Sequence, residues 1–281
     1  MVSFRLTHNS EDELLARILY NAFWSAWEVN WWQDLVSPLR KIASKPSPDE
    51  DLELKESSRL EFYLAIIRFV RNIGGLVAAA IPPDSDQPAA VVCWLPPNVR
   101  PTLSSLFWSG WLRAWSRFGL RGIYHFWQYE DSLSRLYARS LSPLGYRQCE
   151  GAFVQIIATD PAHAGNGYSA ALLQWQIEQH KESLPHTSVF LDAAADYSQR
   201  VYERLGFAEI GRQPLHINVD EDGFRATGDP SHKEKQNREG RHIQRVLMLD
   251  LRTDPSSADR PPLKEWGLQA WYSFSDLLEH A

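Results

Sequence analysis

Cysteine is scarce: Cys93 and Cys149 are the only two in 281 residues. That excludes a disulfide framework and a cysteine-based zinc site, and it fits a reducing compartment. Long apolar runs are missing too. None reaches the roughly 18 residues that a spanning helix needs. Met1–Arg17 mixes charged with apolar residues and has no signal-like hydrophobic region. A cytoplasmic protein without a membrane partner is expected. Positive charge is not in excess, with 29 Lys and Arg against 35 Asp and Glu, a formal net charge of −6. No nucleic-acid partner is expected, because such a footprint is basic; an acidic ligand held by backbone amides stays open. The nine histidines contain no i, i+4 pair, so no metal is expected.

What is present is ordinary globular composition, 44% apolar and 23% charged, with 12% aromatic residues. Val2–Leu6 reads as a strand. Asn9, Ser10 and Asp12 supply capping groups for a helix over Glu11–Phe23. Trp24, Trp27, Trp31 and Trp32 share an aromatic helical face, and Pro46–Asp51 reads as a linker. A helix follows over Leu54–Asn72. Gly75–Ile81 and Ala89–Leu95 flank a Pro- and Asp-rich turn and predict a hairpin. Residues 101–142 are aromatic and helical in period. Strands are expected at Phe153–Thr159, Val189–Asp192, Phe207–Gly211 and Arg245–Leu251, with helices over Ser169–Lys181, Tyr197–Leu205 and Leu263–Leu278. Residues 220–240 form a charged loop.

The chemistry-bearing segment is Ile156 to Leu173, a strand running into a two-glycine turn that opens a helix. Such a junction aims several backbone N–H groups, and the positive end of a helix dipole, at one spot. It suits a pyrophosphate. The Gly-Lys-Ser/Thr of a P-loop is absent, and the third glycine of a dinucleotide fingerprint is missing. The bare alternative is a turn that only reverses the chain.

Ala164-Gly165-Asn166-Gly167-Tyr168-Ser169, a few residues after Pro161, resembles the Arg/Gln-x-x-Gly-x-Gly/Ala turn of the GNAT acyltransferase superfamily. Val201-Tyr202-Glu203-Arg204-Leu205-Gly206-Phe207 is similar to that superfamily's Leu-Tyr-x-x-Leu-Gly-Phe segment. Trp94-Leu95-Pro96-Pro97 looks like its fungal-type members. Ala164 stands where Arg or Gln is usual, and Ser169 where Gly or Ala is usual.

The resemblance implies an α/β fold: a mostly antiparallel, splayed sheet flanked by helices, with a helical aromatic-rich insertion at 101–142. It implies one domain over 1–281, best matched at 150–211. It also implies an acetyl-CoA-dependent N-acetyltransferase acting on a small-molecule amine by direct transfer in a ternary complex. The partners are then acyl-CoA and that acceptor. A non-catalytic acyl-CoA-binding module and an O-acyltransferase are the alternatives.

By the same resemblance, Ala164, Gly165, Asn166, Gly167, Tyr168 and Ser169 cradle the CoA pyrophosphate. Ile156, Ile157 and Ala158 offer backbone groups to the pantetheine arm, as an added strand would require. Tyr202 donates a proton to the departing thiolate. It sits one step off the apolar stripe Tyr197–Val201–Leu205. Gln155 occupies the position where many relatives carry a glutamate base, and an amide cannot accept that proton. Glu150 and Asp192 are fallback bases, each read first as a surface or capping carboxylate. The aromatic residues of 107–129 and Trp24–Trp32 form either an acceptor pocket or a core layer between helices, the core layer being preferred. His163 lies beside the glycine turn as a loop residue.

Overall fold

The computed structural model describes residues 1–40, 50–99, 101–225 and 242–252. Most of the 46–51 linker, most of the charged loop and the helix expected at 263–278 lie outside the described residues.

Seven strands form one sheet in the order β1-β2-β3-β4-β5-β7-β6. They are β1 (Ser3–Leu6), β2 (Leu76–Ile81), β3 (Ala90–Leu95), β4 (Ala152–Thr159), β5 (Val189–Ala193), β6 (Ala208–Pro214) and β7 (Ile243–Leu249). Every neighbouring pair is antiparallel except β4 with β5, which run parallel. The expected hairpin is β2–β3, and the expected last strand pair is β6–β7.

The helices are α1 (Asp12–Ala22), α2 (Trp27–Trp32), α3 (Glu50–Asn72), α4 (Leu103–Ser109), α5 (Trp111–Leu141), α6 (Tyr168–Ser183) and α7 (Asp196–Arg204). The first helix is capped differently from the expectation. His8 and Glu11 form a reciprocal box around a short 3-10 turn, with the His8 amide donating to Glu11 Oε2 at 2.8 Å, and α1 starts only at Asp12. A carboxylate three residues on is a better partner for that orphan amide than a hydroxyl next door.

Helices cover both faces of the sheet. One face carries α1, α3 and the inserted α4 and α5, around a core that includes Leu19, Phe62, Phe69 and Phe190. The other carries α6 and α7 over Leu172, Leu173, Leu191 and Phe207. α5 is kinked at Gly119 (φ 70, ψ 171). Just beyond the kink it passes very close to α2: a Cβ on Gly122 would lie 2.3 Å from the Trp32 carbonyl oxygen. Glycine is what lets these two aromatic-rich helices touch.

Candidate active site

β4 and β5 are joined only where Ala152 faces Val189 and Phe153 faces Phe190. Beyond that the strands part, and the β4 edge from Val154 onward faces a gap. A bulge lies at the same place. Cys93 pairs with Ile156 and Trp94 with Val154, which leaves Gln155 as the extra residue. The bulge shifts the alternation, so Phe153, Ile156 and Ala158 share one face while Val154 and Ile157 share the other.

The gap opens into a cavity of about 1280 Å³, above the roughly 300–1,000 Å³ typical of a pocket for one small ligand. Gln155, Ile156, Ile157 and Ala158 all line it, as do Ala164, Gly165, Gly167 and Ser169. One cavity therefore runs from the glycine turn along the free strand edge.

The turn is shaped for exposed amides. Gly165 (φ 82) and Gly167 (φ 73) are left-handed, and nothing lies within 4 Å of where a Cβ would sit. The glycines are there for backbone conformation rather than for space. Asp160 holds the entry by accepting from the Ala162 amide at 2.9 Å, and Asn166 Nδ2 donates back to the His163 carbonyl at 3.0 Å. The amides of Gly165, Asn166, Gly167 and Tyr168 donate to no acceptor among the described residues. They stand at the N-terminus of α6, a 16-residue helix. The Ser169 amide is already used, donating to Thr159 Oγ1 at 3.1 Å. Asn166 and Tyr168 bring amides to the turn, but their side chains stay off the cavity wall; the Tyr168 ring lies against His163.

Tyr202 lines the cavity from α7, its ring packed near Phe207. Burial and the nearby Asp192 carboxylate both push its phenol well above the ordinary value, so it stays protonated and able to donate. The expected split between the stripe and Tyr202 does not hold. Tyr197 is 66% exposed, and Tyr197, Val201 and Leu205 line the same cavity as Tyr202.

Two carboxylates escaped the sequence reading, and a third was misplaced by it. Asp192 is a cavity residue, not a capping one. It follows Phe190 on one face of β5, and burial plus the charge of Glu28 raise it to about 7. Glu28 on α2 is raised to about 7 by burial. Glu130 on α5 is raised to about 8 by burial and by Asp192. Both line the cavity. The signal for Glu130 was available: it interrupts the apolar stripe Phe126–Tyr129–Leu133. Glu150, by contrast, sits at the surface in an ion pair with Arg147 at 2.7 Å.

The aromatic block divides between wall and surface. Trp32, Trp111, Trp115, Phe126, Trp127 and Tyr129 line the cavity, and several also belong to the core, whereas Trp108 is 75% exposed. Among the described residues no group of His, Cys, Asp or Glu has an arrangement that could hold a metal ion, and no helix is long and apolar enough to cross a membrane.

The sheet thus opens beside a glycine turn of free amides, with a phenol and carboxylates in the same cavity. Residues 123–228 match the family model described as the acetyltransferase (GNAT) domain. That stretch includes β4, β5, the glycine turn and Tyr202, so the resemblance read from the motifs and the family match fall on the same elements. The chain is also similar to a Corynebacterium glutamicum protein described as histone acetyltransferase HPA2 and related acetyltransferase (15% identity, 90% of this chain and 98% of that chain, TM-score 0.48). It is similar to arylalkylamine N-acetyltransferase 2 from Aedes aegypti (17% identity, 89% and 99%, TM-score 0.48). A third similar structure is the polyamine N-acetyltransferase of Drosophila melanogaster (16% identity, 89% and 100%, TM-score 0.47). No curated protein sequence matches the chain.

Proposed function

We propose that the protein is an acetyl-CoA-dependent N-acetyltransferase that acts on a small-molecule amine by direct transfer in a ternary complex. The observation that carries this is the continuity of one cavity from the free amides of the glycine turn, along the open β4 edge, to Tyr202 and the aromatic wall. Its volume has room for two reactants side by side, and holding them together is the main source of rate in a direct transfer.

In this reading the amides of Gly165 to Tyr168 hold the pyrophosphate, with Ala164 and Ser169 as neighbours. They do so without the usual Arg or Gln, because four unpartnered N–H groups and a helix N-terminus already favour an anion. The edge of Ile156, Ile157 and Ala158 receives the pantetheine arm. Tyr202 protonates the thiolate. Gln155, thrown out by the bulge, orients the acceptor or a water. The aromatic helices of 101–142 share a cavity wall with the 150–211 core, which supports reading the chain as one domain. Trp94–Pro97 remains the feature that points to fungal-type relatives, and a cytoplasmic location follows from composition.

The replacements at Ala164 and Gln155 favour one second reading, a module that binds acyl-CoA without turning it over. Amine-dependent release of free thiol from acetyl-CoA separates the two. The enzyme reading expects release that needs both reactants and falls at least about 100-fold in Tyr202→Phe. Tight acetyl-CoA binding with no release across a broad panel of amines and alcohols would mean the binding module.

A further inference from the structure

We infer that the aromatic end of the cleft takes a protonated amine carried on a bulky, flat apolar body, and that Glu28, Glu130 and Asp192 bind its ammonium group and accept its proton. The inference rests on the N-acetyltransferase reading and names its acceptor.

Three carboxylates reach the same cavity from α2, α5 and β5, and none forms an ion pair among the described residues. Their mutual influence runs through the whole set: Glu28 acts on Asp192, and Asp192 acts on Glu130. Two basic groups lie near them without forming an ion pair with them among the described residues, although the Arg59 charge is felt by Glu28. Arg204 lines the same cavity from α7, its Nε donating to the Arg200 carbonyl. Arg59 on α3 is fully buried and is spent on neutral acceptors: Gln33 Oε1 at 2.6 Å, Asn30 Oδ1 at 2.7 Å and the Trp24 carbonyl at 2.9 Å. Three acids against one cation, Arg204, on the cavity wall leave a net negative lining among the described residues, which favours a positive ligand.

The wall supplies the apolar half. Trp27, Trp32, Trp115, Phe126, Trp127 and Tyr129 present ring faces and edges, which suit both a flat body and a cation. Three unmet donors lie behind the same wall. Trp32 Nε1, Trp111 Nε1 and Tyr63 Oη belong to side chains more than nine-tenths buried and have no hydrogen-bond partner among the described residues. All three side chains border the cavity and cluster on the Phe62 ring. Buried donors left unmet cost roughly 1–3 kcal/mol each.

The proton inventory balances. The bound ammonium passes one proton to a carboxylate. The neutral nitrogen attacks the thioester carbonyl carbon, so the C–N bond forms as the C–S bond breaks. The Tyr202 hydroxyl protonates the departing thiolate. The second nitrogen proton returns to the phenolate through the carboxylates, and one proton leaves to solvent per acetyl transferred. Carboxylates near 7 to 8 are better bases for this than ordinary ones. The other titratable and charged groups around them are Tyr129 on α5, Tyr202 and Arg204 on α7, and Tyr63 and Arg59 on α3.

The test uses the full chain and three probes: 2-(1-naphthyl)ethylamine, its neutral isostere 2-(1-naphthyl)ethanol, and n-butylamine. Acetyl-CoA is titrated first. Naphthylethylamine is expected to bind at least about tenfold tighter than either other probe near pH 7.5, and to be acetylated. In Glu130→Gln and Asp192→Asn, each checked for an intact melting transition, that preference over the alcohol shrinks about tenfold. The alcohol's own affinity stays put, and the acidic limb of the kcat pH profile moves. The surface control Glu150→Gln leaves both unchanged. A wild type that binds acetyl-CoA but shows no preference for the naphthyl ammonium, or carboxamide variants that keep the preference, overturns this inference alone. A wild type that binds no acetyl-CoA removes the acetyltransferase reading and this inference together.

Discussion

Replacing Glu130 with glutamine should stabilise the protein at alkaline pH and leave it unchanged at acid pH. The Glu130 carboxyl sits in the cavity wall with a value raised from 4.5 to about 8, chiefly by burial and then by Asp192. A carboxyl whose folded value exceeds its unfolded one holds its proton more tightly in the native state. The native state then binds more protons than the unfolded state between about 4.5 and 8, so stability falls as pH rises through that window and is level above it. At ~1.4 kcal/mol per pH unit the full penalty is ~4–5 kcal/mol. Water entering an open cleft screens the charge and brings this to ~1–2 kcal/mol. For a chain of this size that is about 3–6 °C in melting temperature. Urea unfolding of wild type and Glu130→Gln, from about pH 5 to pH 9, reads the difference directly. The two should coincide at the acid end and separate by ~1–2 kcal/mol at the alkaline end, with the variant more stable. A variant equally stable or less stable at the alkaline end refutes the claim that this carboxylate is held unpaired in a partly desolvated wall.

Other perturbations probe other links. Gly167→Val puts a branched side chain at φ 73, so it should lose ~1–2 kcal/mol of stability and most acetyl-CoA affinity, whereas Gly167→Asn keeps more of both. Gly122→Ala forces a methyl to 2.3 Å from the Trp32 carbonyl oxygen, and should cost ~2 kcal/mol in denaturant unfolding and weaken acceptor binding more than acetyl-CoA binding. Arg59→Met removes the guanidinium donors from Asn30 Oδ1, Gln33 Oε1 and the Trp24 carbonyl, and a loss of ~3 kcal/mol or more in thermal unfolding is expected. Tyr202→Phe should cut kcat while the acetyl-CoA Kd, measured by titration, changes less than about twofold.

Much of this fold is written in local pattern. β2–β3, β4, α6 and α7 follow from β-branched runs, the glycine turn and helical period, and the motif pair marked residues that the structure brings to one cavity. The aromatic end of that cavity was less legible, because it depends on which faces meet. Glu28, Glu130 and Asp192 lie more than 160 positions apart at the extremes, and only the packing of α2 and α5 over the open sheet makes them neighbours. The same distance hid the choice between pocket and core for the tryptophans: Trp32 and Trp111 serve as both. Gln155 was found by position, but its bulge was not, because a bulge is a property of pairing with β3 rather than of the β4 sequence. Tyr197 misled the helix reading, since a stripe of apolar residues is the same pattern whether it faces a core or a cleft.

The central claim is that the glycine turn and the open strand edge form one binding site for acetyl-CoA. Calorimetric titration of the full chain with acetyl-CoA, with ADP and pantetheine as separate half-ligands, tests it most directly. The account predicts saturable binding of acetyl-CoA, much weaker binding of each half, and loss of the acetyl-CoA signal in Gly167→Val. A folded protein that shows no acetyl-CoA binding would contradict it, and Gly165 and Gly167 would then do no more than turn the chain.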